Sequence, residues 1–133
     1  MDLTAATPED LELVSRADHL AHDAYDAVRF VTTVAAAVRD TAGRVHLGVN
    51  LHHFTGGPCA ELVALANVRA AGATPATIVA VGAEGRGVML PCGRDRQVFA
   101  DYFPNLRVLV PTPAGVAVAR VADLLPLAYL TEE

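Results

Sequence analysis

The residues best equipped for chemistry in this chain of 133 residues are its two cysteines and the acids close behind them. Cys59 and Cys92 each follow a proline, and each stands at the predicted start of a helix. Backbone N–H groups and the helix dipole favour an anion there, so both thiols are expected to have lowered pKa values. Two convergent thiolates suit a soft or borderline metal, with zinc the first candidate. Asp95 lies three residues after Cys92, close enough in helical spacing to share its face. Glu61 follows Cys59 by two residues, a spacing that does not share a face. That pair converges only if Cys59 sits where the chain is still running into its helix. A carboxylate so placed need not be a ligand; it can serve as a general acid and base beside the metal.

Composition narrows the alternatives. There is no lysine, so Schiff-base chemistry, pyridoxal-phosphate attachment and a Walker-type phosphate loop are excluded. The single serine, Ser15, lies in a charged N-terminal stretch, which argues against a serine nucleophile. Fifteen acidic residues outweigh ten scattered arginines, a balance that speaks against a nucleic-acid partner. No apolar run approaches the ~20 residues needed to span a bilayer, and no secretory signal is visible. Two distant cysteines without an export signal read as reduced thiols, and the expected location is cytoplasmic.

The elements that must position these residues follow from periodicity and punctuation. Thr7-Pro8-Glu9-Asp10 opens a helix predicted from about Pro8 to Ala24. A strand from Phe30 to Val38, the turn Asp40-Thr41-Ala42-Gly43 and a strand from Val45 to Val49 form a hairpin. Gly56-Gly57-Pro58 launches a helix from about Pro58 to Ala71, ending at Gly72. A strand over Thr77–Val81, a loop from Gly82 to Gly87 and a helix from Pro91 to about Tyr102 follow. Strands at Arg107–Val110 and Val116–Ala119 and a helical turn at Val121–Leu125 complete one domain spanning residues 1–133. The order implies a mixed sheet with helices covering its faces.

Cys-x-Glu followed by Pro-Cys and a third candidate ligand has the layout of the zinc nucleobase deaminases. The stretch from Gly48-Val49-Asn50-Leu51-His52 through Gly56-Gly57-Pro58-Cys59-Ala60-Glu61 resembles the cytidine deaminase family, and within it the blasticidin S deaminase branch. Arg86-Gly87, Pro91-Cys92-Gly93-Arg94-Asp95-Arg96-Gln97-Val98 and the Leu-Leu-Pro ending with Tyr129 continue the likeness, which runs from about Val34 onward. The resemblance implies an α/β fold of three layers, α/β/α, around a five-stranded mixed sheet. It also implies a homotetramer with one zinc per subunit. The implied reaction is hydrolytic deamination of a cytosine-type 4-amino group, with a hydroxide generated at the metal attacking the ring carbon. Glu61 maps onto the proton shuttle and Cys59 and Cys92 onto two zinc ligands. Thr33, Asn50, Arg86 and Tyr129 fall where the family's substrate-contacting residues lie, Thr33 standing in for a serine.

Two departures from the family pattern matter. The third thiolate expected after Pro-Cys-x-x is Asp95. Zinc accepts carboxylate oxygen at ~2.0–2.2 Å against ~2.3 Å for sulfur, so a Cys59, Cys92, Asp95 site is chemically sound, although weaker. The competing reading pairs Asp95 with Arg94 or Arg96. Secondly, His52 stands where a glutamate reads the ribose hydroxyls in ordinary cytidine deaminases, so cytidine is expected to be a poor substrate.

Other features read more plainly. His19 and His22 form a half-solvated helix face, and His53 a packed or hydrogen-bonded residue near the pocket. The Gly82–Gly87 loop reads as a turn presenting Arg86. The expected function is a zinc-dependent deaminase of a cytosine-containing or related amino-heterocyclic nucleoside, with a blasticidin S-like compound among the expected substrates. The alternatives are deamination of a purine or triazine-type ring, and a non-catalytic binding protein whose metal site has decayed at Asp95.

Overall fold

The computed structural model describes residues 1–130. Its elements, in chain order, are β1 (Thr4–Ala5), α1 (Pro8–Ala24), β2 (Val34–Asp40), β3 (Val45–Val49), α2 (Ala60–Ala70), β4 (Pro75–Gly82), β5 (Gly87–Met89), α3 (Gly93–Tyr102), β6 (Arg107–Thr112), β7 (Gly115–Arg120) and α4 (Val121–Leu124). The strands form one sheet in the order β1-β7-β6-β4-β2-β3, with β5 paired to β4. The β4–β6 ladder is parallel and the others are antiparallel, so the sheet is mixed as expected. Five longer strands make its body. The two-residue β1 and three-residue β5 are additions that carried no period for a sequence to reveal.

Alternation along the strands sorts the core into two layers. Ala36, Val38, Ile78, Ala80, Val108 and Val110 face α2, α3 and α4 and pack with Leu65, Val68 and Phe99. Ala37, Val79, Val81 and Leu109 face the other way and meet Leu13 and Ala17 of α1. Helices therefore cover both faces, the expected α/β/α arrangement. Helix α2 approaches β3 so closely that a Cβ on Gly48 would fall 2.4 Å from the Ala64 nitrogen. That contact sets how deeply the start of α2 sits over the sheet.

Thr7 caps α1 through a reciprocal pair of bonds with Asp10: its hydroxyl accepts from the Asp10 N–H, and its own N–H donates to the Asp10 carboxylate. The strand expected from Phe30 begins instead at Val34, because Phe30 has φ 55° and cannot continue a strand. Both later helices start two residues beyond their prolines. Cys59 and Cys92 are their N-caps, in extended backbone, and neither side chain caps its own helix. No helix among the described residues is long and apolar enough to cross a membrane.

Candidate active site

A cavity of about 220 Å³ lies at the N-terminal ends of α2 and α3, lined by Asn50, His52, Cys59, Glu61, Cys92 and Asp95 among others. The two N-caps explain how residues 33 apart in sequence meet: each cysteine leads its own helix toward the same space. Because Cys59 is extended and outside α2, the side chain of Glu61 in the first turn can share its cavity despite the two-residue spacing.

The Cys59 and Cys92 sulfurs are 3.7 Å apart, and candidate ligand atoms of Cys59, Cys92 and Asp95 all lie within 4.8 Å of one another. Two sulfurs bound to one tetrahedral zinc at ~2.3 Å would sit ~3.8 Å apart. Asp95 is 1% exposed, and its Oδ1 is the one buried side-chain polar atom among the described residues without a hydrogen-bond partner. An unpartnered buried carboxylate oxygen costs about 1–3 kcal/mol or more, and a cation would supply its missing partner. Two thiols and an unsatisfied carboxylate fit a divalent metal of zinc's character.

The arginines beside Asp95 bind elsewhere. Arg94 donates to the Gly57 carbonyl at 3.1 Å and to the Cys59 sulfur at 3.4 Å. Arg96 donates to the carbonyls of Pro91 and Leu124 at 2.8 and 3.0 Å. The expected lowering of both thiol pKa values is not found for Cys59. Burial raises it, Arg94 opposes the rise, and the nearby Asp95 charge adds to it. Helix position alone therefore misjudged this thiol, because desolvation outweighs the dipole.

Glu61 is 7% exposed. Burial is the main influence pushing its carboxyl well above the ordinary range, and the neighbouring Asp95 charge pushes the same way. A carboxyl with so high a proton affinity, facing the cavity, can take up and release a proton near neutral pH.

Asn50 faces this cavity, whereas Thr33 and Arg86 line an adjoining one of about 350 Å³ together with Tyr25, Phe30, His52 and Glu84. His52 borders both. Asn50 Oδ1 accepts from the N–H groups of Thr33 and Val34, and its Nδ2 donates to Thr33 Oγ1. Arg86 donates to the carbonyls of Thr33 and Ala83, so the glycine-rich turn holds it, exposed, along the adjoining cavity. Tyr129 stands apart: its side chain borders neither cavity and is 74% exposed, while its carbonyl accepts from Gln97. His53 lines the main cavity and bonds Thr55, and exposed His19 and His22 belong to no candidate metal cluster.

Sequence reasoning missed Met89 and Leu90, which wall the cavity from the end of β5, and Tyr25, whose hydroxyl donates to Glu84 at 2.6 Å. The run Val88-Met89-Leu90 was the available signal for the first. Nothing local announces a bond between residues 59 apart. Gly57 also escaped notice as a packing residue: a Cβ there would lie 1.5 Å from the Leu51 carbonyl oxygen, so only glycine lets the loop fold over the cavity.

No protein-family model matches the sequence. A blasticidin-S deaminase of Bacillus cereus is 29% identical over 131 residues, covering 91% of this chain and 92% of that protein. The solved cytidine deaminase of Burkholderia pseudomallei is 32% identical, covers 93% of this chain and all of that one, and superposes with a TM-score of 0.73. The cytidine deaminase of Mycobacterium tuberculosis is 25% identical over 92% of this chain and 98% of that one, with a TM-score of 0.72.

Proposed function

The chain belongs to the cytidine deaminase family, and from that premise we propose that it is a zinc-dependent hydrolytic deaminase of a cytosine-containing or related amino-heterocyclic nucleoside. The observation that carries the proposal is the convergence of Cys59, Cys92 and the unpartnered Asp95 carboxylate in the cavity that also holds buried Glu61. In this reading Cys59, Cys92 and Asp95 hold the zinc. Bound there, zinc supplies Lewis acidity that brings the pKa of water toward neutrality.

The chain's own groups do the rest. Glu61 accepts a proton from the attacking water at a carboxylate oxygen and returns it to the ring nitrogen. It then carries the second proton to the departing amine, so that the ring carbon exchanges its amino group for a carbonyl oxygen and ammonia leaves. Val34, Met89 and Leu90 give the cavity an apolar wall beside these groups. Asn50 retains one Nδ2 hydrogen beyond its bond to Thr33, and this donor can orient the substrate. Thr33, Arg86 and Tyr129 complete the proposed substrate contacts, Tyr129 only after movement of its segment or docking of another subunit.

A homotetramer and a cytoplasmic location belong to the same proposal. His52 supports a substrate whose sugar differs from plain ribose, because an imidazole cannot accept from two hydroxyls as a carboxylate can. Blasticidin S, the substrate in the name of the Bacillus cereus relative, is the first such nucleoside to test.

The test is zinc analysis joined to an ammonia-release screen over cytidine, blasticidin S, and aminated purines and triazines. One zinc per chain with release from a cytosine ring is expected, and slower turnover of cytidine than of the modified nucleoside. Full zinc with no ammonia from any cytosine compound would turn the assignment toward another ring. Equal efficiency on cytidine would remove the specificity argument from His52.

A further inference from the structure

Cys59 and Cys92 are the chain's only cysteines, and their sulfurs lie 3.7 Å apart at the mouth and wall of one cavity. Cys92 is exposed and Cys59 partly so. Each is an N-cap in extended backbone, so each sulfur can shift by side-chain rotation without unwinding a helical turn. A disulfide needs the sulfurs at ~2.05 Å, so from 3.7 Å the gap to close is about 1.7 Å. The third candidate donor, Asp95, is a carboxylate and cannot be oxidised in this way. A single disulfide would therefore remove both thiolate donors of the cluster at once and leave one carboxylate, too few ligands to hold zinc.

We infer that Cys59 and Cys92 form a peroxide-responsive dithiol whose oxidation to an intramolecular disulfide ejects the metal and reversibly silences the site. The accessible Cys92 sulfur attacks one oxygen of hydrogen peroxide. The O–O bond breaks together with the bond that would hold Cys92 to the metal, a first water leaves with a proton taken from solvent, and Cys92 becomes a sulfenic acid. The Cys59 sulfur then attacks the Cys92 sulfur. The S–S bond forms, the S–O bond breaks, a second water leaves with another solvent proton, and the metal departs as a divalent ion. The dithiol loses two electrons and peroxide is reduced to two waters.

The inference rests on the proposed metal reading for its consequence, loss of zinc, and on geometry alone for the disulfide. The experiment treats the zinc-loaded protein with hydrogen peroxide and follows three quantities: zinc released to a chromogenic chelator, free thiols under denaturing conditions, and intact mass. One zinc released per two thiols lost is expected, with a mass decrease of about 2 Da, and both thiols and zinc uptake restored by dithiothreitol. A mass increase of about 16 or 32 Da with one thiol still free would overturn the inference, as would a disulfide linking two chains. Protein that takes up no zinc even before peroxide would defeat the metal reading instead, and the thiol and mass readings on that sample would still decide the disulfide.

Discussion

The side-chain amide of Asn50 is tied to Thr33: its Oδ1 accepts the Thr33 N–H at 2.8 Å and its Nδ2 donates to Thr33 Oγ1 at 3.0 Å. A second bond to Oδ1, from the Val34 N–H at 2.9 Å, pins the start of β2 to the end of β3. Asn50 is therefore a brace for the cavity wall, whatever it contributes as a proposed substrate contact. Asn50→Ala should cost about 1–3 kcal/mol in urea unfolding, because two backbone N–H groups lose their acceptor. It should also weaken substrate binding. Asn50→Asp keeps the acceptor and loses the donor, so it should spare most of the stability and still impair turnover. Equal stability loss in both variants would show that the brace works through something other than Oδ1.

Removal of the Asp95 carboxylate should act in opposite directions on metal and on fold. Asp95→Ala is expected to lose zinc under dialysis that leaves the parent loaded. The metal-free variant should be more stable than the metal-free parent, since a buried charge with an orphan oxygen disappears. Zinc retained at full occupancy would take Asp95 out of the ligand set.

Glu61→Ala should lower turnover by a factor of about 10²–10⁴, the range for a lost general acid or base, while zinc remains at one per chain. Ammonia release measured against metal content separates the two effects. Activity surviving at the parent level would sink the shuttle role.

Acid unfolding should report a pair remote from the cavity. Arg107 donates to both carboxylate oxygens of Asp10 at 2.8 Å, and this contact, the leading cause, holds the Asp10 pKa at about 2 against an ordinary 3.8. The native state thus binds that proton later than the unfolded chain. The stabilisation is present above pH 3.8 and is lost as the pH falls toward 2. Its size is about 1–2 kcal/mol after allowing for the partly exposed guanidinium. The denaturant midpoint should fall further between pH 5 and pH 2 for the parent than for Asp10→Asn.

What the sequence determined by itself was whatever short-range physics dictates. The Thr7-Pro8 start of α1 and the strand from Val45 to Val49 are local in origin, and they appear where periodicity and capping put them. The pairing of each cysteine with an acid two or three residues on, and the likeness carried by those motifs, were equally legible. Other properties needed the tertiary structure because they depend on atoms far apart in sequence. Phe30 leaves the β region and delays β2, and β5 exists only because β4 offers it an edge. Arg94 turns from its neighbour Asp95 to Gly57 and Cys59, leaving the carboxylate without a partner. The Cys59 thiol rises where helix position alone argues for a fall, because desolvation by surrounding packing exceeds what a helix end supplies. Residue types and spacings set which groups could meet; burial and close packing decided their charge, their partners and their distances.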